Sequence, residues 1–491
     1  MRPTPVGAIG SSHYVRLTGK RARVLVVASS IGLMFGSAQP AAAASDLQSE
    51  PQFITSNEIS LQPGPGMPPS VGAARGAMVE SAPVVSAAST AYSEKYWAAF
   101  SDADLNALHT EARTDPETRF AGAMDLLAGG FYDQAERALV EVSKQVSELN
   151  VAVASRIMLA SILRYQHKWT ELRDLPLTSP LPTNDNTLTN DLEQWGKAFA
   201  GAPDQTIQFP DGEITLPLRL TALGTPTVRV RINGKDYDFW LDTGSTMTVI
   251  SSEVAEAAGS TVLSPEVLAV KTFGGTAPVR ATVIKSLEIG PVTISNSPAV
   301  IIDASSMYLR TSSNVGSMPT GITLDGIIGW DVIRHFDMTM NYADRKITLR
   351  QPVFRGNGRG NLVWLARPLV EVSSRSGDKL HFTLDTGAQG SFLNATVLGK
   401  SGAVTKGAGT RVYGLAHTGK EISRVVPVLE LDVAGKGVAL QNVILYGPVE
   451  SGLINCDGIL GSDIARFGSL HIDATNGVFS VGQSDGEDAT E

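Results

Sequence analysis

Two aspartates, Asp242 and Asp385, have the residue type and surroundings for joint acid–base chemistry. Each begins an Asp-Thr-Gly triplet, and each triplet follows an apolar run, Phe239-Trp240-Leu241 in one case and Phe382-Thr383-Leu384 in the other. Two carboxyl groups that share one proton can remove a proton from water while they donate one to an amide carbonyl. The pair therefore predicts hydrolysis that needs neither a metal ion nor a covalent intermediate.

Each triplet ends a predicted β-hairpin. Before the first triplet, apolar and polar residues alternate over 228–232, Asn233-Gly234 gives a turn signal, and the alternation resumes up to Leu241. Alternation on both sides of Asn-Gly is a strong hairpin signal. The second triplet follows the same plan with a turn at Ser376-Gly377. Both aspartates are thus expected at the end of a hairpin's second strand.

The repeated pattern extends beyond the triplets. Residues 325–331 read Asp-Gly-Ile-Ile-Gly-Trp-Asp and residues 457–463 read Asp-Gly-Ile-Leu-Gly-Ser-Asp. From these points the two copies align without a gap through Leu349 and Val481. A duplicated unit of this kind predicts two homologous β lobes, which we place at 209–352 and 362–484.

These residues resemble the aspartic proteases, and the bacterial secreted retropepsin-like members more than the longer pepsins. The resemblance covers residues 209–484 and implies a mainly β fold: two retropepsin-like β-barrel lobes after a small helical region. It implies that Asp242 and Asp385 are the catalytic base and acid, which exchange roles during the cycle. It differs from viral retropepsins at Trp330 and Ser462, where those usually carry arginine after glycine.

The resemblance also implies roles for neighbouring residues. Those expected to support the two active-site loops are Thr243, Gly244, Ser245, Thr386, Gly387 and Ala388. Those expected in two substrate-binding flaps, about thirty residues after each Asp, are Phe273, Gly274, Gly275, Tyr413 and Gly414. The threonines would hydrogen-bond across the lobes.

The resemblance also implies that residue 245 lies beside the carboxylate, where the Ser245 hydroxyl, which Ala388 lacks, would donate to Asp242 and favour its ionised form. We therefore expect an activity optimum between weakly acid and near-neutral pH.

The N-terminal residues 1–44 have the pattern of a signal peptide. Basic residues at 20–23 precede a mostly apolar stretch over 24–35 and the small-residue run Ala41–Ala44. This pattern predicts export to a bacterial periplasm or secretion, with no transmembrane segment after cleavage. Cys456 is the only cysteine, so an intrachain disulfide is excluded.

Three further regions are predicted around the lobes. Residues 45–92 are rich in Pro, Gly and Ala and are expected to form a linker, and residues 485–491 form an acidic tail. Residues 93–200 are expected to be helical, with tetratricopeptide-like helix pairs at 123–135 and 157–172. This region could pack against the lobes, bind a protein partner or act as an inhibitory prosegment.

Composition argues against other functions. The net charge is −9, and no dense run of Lys and Arg occurs, so no nucleic-acid partner is expected. The seven histidines are dispersed without a metal-binding motif, so neither a metal nor another cofactor is predicted. Position favours strand or surface roles for His381 and His417.

The sequence therefore predicts an aspartic-type endopeptidase that cleaves peptides or proteins in the exported compartment. The alternative is a non-catalytic peptide-binding or scaffold protein that uses its helical region. Because both aspartates lie in one chain with a short linker between the lobes, pairing of the lobes within a monomer is favoured over pairing between chains.

Overall fold

The computed structural model describes residues 25–26, 87–145, 148–176, 187–272, 275–315, 318–356, 360–413, 419–447, 454–466 and 468–483. Of the predicted signal peptide it describes one short strand, β1 (Leu25–Val26), which pairs in parallel with residues 412 and 413. Most of the predicted linker, the flap residues Phe273, Gly274 and Gly414, and the acidic tail lie outside the described residues.

Helices dominate the region before the lobes. They are α1 (Ala87–Ser101), α2 (Leu105–Glu111), α3 (Asp115–Ala128), α4 (Tyr132–Ser143), α5 (Leu149–Tyr165), α6 (Trp169–Asp174) and α7 (Thr187–Phe199). Thr114 and Glu117 form a capping box that starts α3, because each side chain accepts from a backbone N–H of the other. The two predicted helix pairs coincide with α3–α4 and α5–α6, and their tetratricopeptide character stays a prediction. No helix in the described part of the chain is long and apolar enough to cross a membrane.

In the described part of the chain, fourteen strands lie between the helical region and the second lobe, and most of them belong to the first lobe. They are β2 (Thr206–Gln208), β3 (Ile214–Pro217), β4 (Arg219–Leu220), β5 (Pro226–Ile232), β6 (Lys235–Leu241), β7 (Val249–Ser251), β8 (Val262–Thr272), β9 (Gly275–Ile289), β10 (Val292–Ile302), β11 (Tyr308–Val315), β12 (Met318–Thr323), β13 (Gly326–Ile328), β14 (Asp337–Asn341) and β15 (Lys346–Arg350). Two short helices interrupt them, α8 (Ser252–Ala257) and α9 (Trp330–Ile333).

The second lobe repeats this order with fewer insertions. Its strands are β16 (Leu362–Trp364), β17 (Pro368–Ser374), β18 (Lys379–Leu384), β19 (Phe392–Asn394), β20 (Lys406–Tyr413), β21 (Gly419–Val433), β22 (Lys436–Tyr446), β23 (Gly458–Leu460), β24 (Gly468–Asp473) and β25 (Val478–Gln483), with one short helix, α10 (Leu398–Ser401). The predicted fold class, two homologous β lobes after a helical region, is confirmed.

Equivalent strands take equivalent places in the two lobes. The main sheet of the first lobe has the order β2-β10-β7-β13-β6-β5-β9-β8, and that of the second has β1-β20-β21-β22-β19-β23-β18-β17-β16. In each lobe the short strand with the apolar-apolar-Gly sequence, β13 or β23, runs parallel to the strand that precedes the Asp-Thr-Gly triplet. A third sheet, β25-β24-β14-β15-β3, joins the lobes through antiparallel pairing of β14 with β24.

The first predicted turn has the expected backbone. Ile232 pairs with Lys235, and both Asn233 (φ 47°) and Gly234 (φ 85°) have positive φ, as a type I′ turn requires. The second hairpin turns over a longer loop at residues 375–378. The two hairpins thus have turns of different length, but their second strands, β6 and β18, are equivalent.

A side chain occupies the outer edge of β25 at Phe479. The amide nitrogen of Asn361 donates to the carbonyl of Phe479 (2.9 Å), and the N–H of Phe479 donates to the amide oxygen of Asn361 (3.0 Å). One side chain therefore provides the two hydrogen bonds that a neighbouring strand residue would provide.

The helical region packs against both lobes. The Tyr165 ring, at the end of α5, lies 4.1 Å from the Trp364 ring of the second lobe, measured between centroids. The Arg334 guanidinium of the first lobe lies 3.9 Å from the centroid of the same Tyr165 ring. At the other end of the region, the N–H of Asn455 donates to the carbonyl of Ser101 (2.6 Å). The helices and the lobes share one continuous hydrophobic core.

Candidate active site

The two Asp-Thr-Gly turns occupy equivalent positions beside the apolar-apolar-Gly strands. The N–H of Asp242 donates to the carbonyl of Ile328 (3.0 Å), and the N–H of Asp385 donates to the carbonyl of Leu460 (2.9 Å). Each aspartate thus follows its strand at the equivalent position in its own lobe. Asp242 and Asp385 are both buried, with 0% and 1% of their surface exposed.

Reciprocal hydrogen bonds between two threonines join the turns. The N–H of Thr243 donates to Oγ1 of Thr386 (3.1 Å), and the N–H of Thr386 donates to Oγ1 of Thr243 (3.0 Å). The Thr386 hydroxyl in turn donates to the carbonyl of Leu241 (2.6 Å). These bonds cross from one lobe to the other and fix the relative position of the two aspartates.

Glycine allows the turns to approach closely. A β-carbon placed on Gly387 would lie 2.5 Å from Cγ and 2.5 Å from Oδ2 of Asp242, well inside van der Waals contact. Any side chain at Gly387 would therefore displace the Asp242 carboxyl. The backbone of one turn lies directly against the carboxyl group of the other.

The inner oxygen of each carboxyl receives backbone hydrogen bonds. Oδ1 of Asp242 accepts from the N–H groups of Gly244 (2.9 Å) and Ser245 (3.2 Å), and Oδ1 of Asp385 accepts from the N–H of Ala388 (2.9 Å). Oδ2 of Asp242 is buried and accepts from no donor among the described residues, and the carboxyl of Asp385 lies close enough to hydrogen-bond to the Asp242 carboxyl. Two carboxyls can share such a bond only when one of them carries the proton.

Burial raises the pKa of Asp242 well above its usual range, and the charge of Asp385 raises it further. The N–H groups of Gly244 and Ser245 act in the opposite direction, because they favour the ionised form. The pair consequently loses its protons in two separate steps, and one shared proton persists over the pH range between them. In this state one carboxylate can accept a proton and the other carboxyl can donate one.

The Ser245 hydroxyl does not have the role expected from the sequence. It donates to the carbonyl of Met247 (2.7 Å), within its own loop, and only the Ser245 N–H reaches Asp242. The expected difference between the lobes, a hydroxyl that favours ionisation of Asp242 alone, is therefore wrong. The hydroxyl shapes the loop and leaves the titration of the aspartate pair to burial and backbone donors.

Each lobe has a further buried aspartate, Asp331 or Asp463, that hydrogen-bonds to the loop after its Asp-Thr-Gly triplet, and the sequence analysis did not identify this role. In the first lobe the Thr248 hydroxyl donates to Oδ1 of Asp331 (3.0 Å) and accepts the N–H of Gly329 (3.3 Å). In the second lobe the Ser391 hydroxyl donates to Oδ1 of Asp463 (2.7 Å). The available signal was the repeated aspartate two residues after the glycine of each apolar-apolar-Gly strand.

The two supporting aspartates differ in hydrogen bonding. Burial raises the pKa of Asp331 to about 7, and Oδ2 of Asp331 has no partner among the described residues. Burial also raises the pKa of Asp463, but Ser391 opposes the rise because both its hydroxyl and its N–H donate to Asp463. The first lobe thus holds a buried carboxyl that favours its protonated form.

The hairpins expected to carry the flaps are present. Strands β8 and β9 form one, with Gly275 at the start of β9, and β20 and β21 form the other, with Tyr413 at the end of β20. Helix α7 packs against β8. The roles of Phe273, Gly274, Gly275, Tyr413 and Gly414 in substrate binding stay predictions.

Two β lobes that bring two Asp-Thr-Gly turns together define an aspartic protease fold. The sequence model of a family described as aspartyl protease matches residues 228–332, which include Asp242 and Asp331. No curated protein matches the chain.

Two solved structures are similar to parts of the chain. A retropepsin-like aspartic protease from Rickettsia conorii shares 13% identity over 30% of this chain and 92% of its own, with a TM-score of 0.20. The aspartic proteinase from Irpex lacteus shares 12% identity over 57% of this chain and 99% of its own, with a TM-score of 0.37.

Proposed function

We propose that the protein is an aspartic endopeptidase. The observation that carries the proposal is the contact between two buried carboxyls, Asp242 and Asp385, on turns joined by reciprocal threonine hydrogen bonds. Buried acids that cannot both ionise provide a base and an acid at one place. The family match over residues 228–332 supports the same chemistry.

The reaction follows from the shared proton. The ionised carboxyl takes a proton from a water molecule, whose oxygen attacks the peptide carbonyl, while the protonated carboxyl donates to the carbonyl oxygen. When the tetrahedral intermediate collapses, the C–N bond breaks and the departing nitrogen receives the proton that the first carboxyl took from water. The other carboxylate takes back the proton of one hydroxyl of the intermediate as the C=O bond re-forms. Asp242 and Asp385 therefore exchange roles and finish in their starting protonation state.

We propose that the substrate is an extended peptide segment of an exported protein. The hairpins β8–β9 and β20–β21 would contact it as an added strand. The signal-peptide pattern of residues 1–44 supports action in the periplasm or outside the cell. A folded helical region packed on both lobes supports a packing role in preference to a detachable prosegment.

Digestion of a peptide library by the mature protein, read by mass spectrometry, tests the proposal. We expect cleavage by the wild type and its loss in Asp242→Asn and in Asp385→Asn. Exposed Asp211→Asn is the matched control and should keep wild-type turnover. Binding of peptides without cleavage by the wild type would favour the scaffold alternative, and near-normal turnover in either dyad variant would disprove the assignment of the aspartates.

A further inference from the structure

The equivalent strands β10 and β22 differ in how many neighbouring strands pair with them. In the first lobe β10 pairs with β7 near its end and with β2 near its start, at Thr293–Ser295. In the second lobe the equivalent strand β22 pairs with β19 near its end, at Ile444–Tyr446. Among the described residues, no strand takes the place of β2 beside the start of β22.

The residues at the start of β22 are more exposed than their equivalents in β10. Thr293 and Ser295 are half-buried in β10, whereas Gly437 and Ala439 are exposed in β22. A strand edge in this state leaves backbone N–H and C=O groups without a strand partner, which makes it a site for addition of another strand.

A groove of about 540 Å³ runs along this edge. It is lined by β22 from Lys436 to Gln441, by residues 463–466, and by Gly468, Val481 and Gly482. In the first lobe Phe336 holds the position of Gly468, counted from the repeated Asp-Gly pair, and its ring packs against Phe209 just after β2 (5.6 Å between centroids). The second lobe has neither ring, so the groove has room for a side chain.

One segment of the chain has a sequence suited to this groove. Residues 54–61 align without a gap with residues 209–216, the connection from β2 to β3: an apolar residue, a polar turn, then Glu-Ile-Ser-Leu against Glu-Ile-Thr-Leu. In this alignment residues 51–53 correspond to β2, and Ile54 corresponds to Phe209.

We propose that residues 51–54 add to the edge of β22 as an antiparallel strand and complete the second lobe as β2 completes the first. Ile54 would then lie over Gly468. The 32 residues between Ile54 and the start of α1 at Ala87 can span about 100 Å when extended, so the chain can reach the groove. The added strand ends before Leu61, because Asn361 already occupies the edge of β25 at Phe479.

The consequence is that part of the predicted linker belongs to the folded unit. Cleavage of a signal peptide near residue 44 would leave this segment at the new N-terminus of the mature chain. Groove residue Asp463 holds the Ser391 loop beside Asp385, so the added strand would pack close to the support of the second catalytic turn.

Hydrogen–deuterium exchange of the mature chain, starting at residue 45, tests the proposal. We expect the amides of Gly437–Leu440 to exchange as slowly as those of Thr293–Ser295, and about tenfold faster in Ile54→Asp. Val71→Asp, another apolar-to-acid change in the same region, is the matched control and should leave the protection unchanged. The amides of β10 report whether each variant is folded.

Three results would overturn the proposal. The first is fast exchange of Gly437–Leu440 in the wild type, which would mean that the groove is empty. The second is protection that Ile54→Asp leaves intact. The third is protection that falls on dilution, which would mean that a second copy of the chain provides the strand.

Discussion

Gly387 lies directly against the carboxyl group of Asp242, so the backbone of one catalytic turn limits the position of the other turn's aspartate. Gly387→Ala would place a β-carbon 2.5 Å from Cγ of Asp242 and force the two groups apart. Because a displacement of about 1 Å at reacting groups can cost a hundredfold in rate, we expect kcat to fall by about that factor. Steady-state kinetics measure this. Gly399→Ala, where a β-carbon meets no neighbouring atom, should keep the wild-type rate, and equal rates for the two variants would contradict the prediction.

The threonine bonds between the lobes should contribute to stability. Thr386→Val removes a hydroxyl that accepts from Thr243 and donates to Leu241, which leaves two buried backbone groups unpaired. We expect a loss of about 2 to 4 kcal/mol in unfolding free energy, measured by chemical denaturation. Thr383→Val is the control, because its hydroxyl is buried and has no partner among the described residues, so its removal should be neutral or stabilising. Similar losses in both variants would show that the interlobe bonds are not the cause.

Asp331 should make stability depend on pH. Its pKa is about 7 in the fold against an ordinary value of 3.8, so between these values the folded chain retains a proton that the unfolded chain has released. Stability from this residue therefore falls as pH rises from about 4 to about 7, by at most about 1.4 kcal/mol per pH unit, and is constant above. Asp331→Asn should flatten the melting temperature across this range, whereas exposed Asp211→Asn should not. An unchanged slope in Asp331→Asn would show that the carboxyl is ionised in the fold.

Ser245→Ala should leave the pH dependence of catalysis unchanged. Because the hydroxyl donates to the Met247 carbonyl and not to Asp242, its loss should cost about 1 kcal/mol of stability without moving the acidic limb of kcat/KM. The pH profile of kcat/KM for wild type and variant decides the matter. An acidic limb shifted upward in Ser245→Ala would restore the expectation drawn from the sequence.

The site should be complete in one chain. Both aspartates and both threonines of the interlobe bonds belong to the same polypeptide, so specific activity should not change on dilution. Activity measured over a concentration series, with sedimentation at the same concentrations, checks this. Activity that declines together with dissociation of a dimer would mean that lobes of different chains form the site.

Local patterns in the sequence were enough to predict the lobes and their hairpins. Asn233-Gly234 between alternating strands specifies one turn, and the repeated Asp-Gly frames specify where β13 and β23 pass the aspartates. These features depend on neighbours a few residues apart. The repeated pattern also allowed Asp242 and Asp385 to be recognised as equivalent residues, because each follows the same hairpin and precedes the same apolar-apolar-Gly strand.

Apart from the threonine bonds between the lobes, which the resemblance implied, contacts between distant residues could not be predicted from the sequence. Thr248 and Asp331 are 83 residues apart, and no pattern within either segment indicates that their side chains meet. The contacts of Tyr165 with Trp364 and Arg334 depend likewise on the shapes of two separately formed surfaces. The Ser245 hydroxyl shows a finer limit: the sequence suggested the Asp242 carboxyl as its acceptor, whereas in the folded loop it donates to the Met247 carbonyl.

The amide of Asn361 has a consequence for how the protein behaves in a crowded compartment. An outer strand such as β25 is a template on which unrelated chains can stack, the first step toward fibrous aggregates. Because the Asn361 side chain holds both backbone groups of Phe479, a foreign strand could pair there only after it displaced two hydrogen bonds already made. At Phe479, a single polar residue thus opposes the addition of a foreign strand to the sheet that joins the lobes.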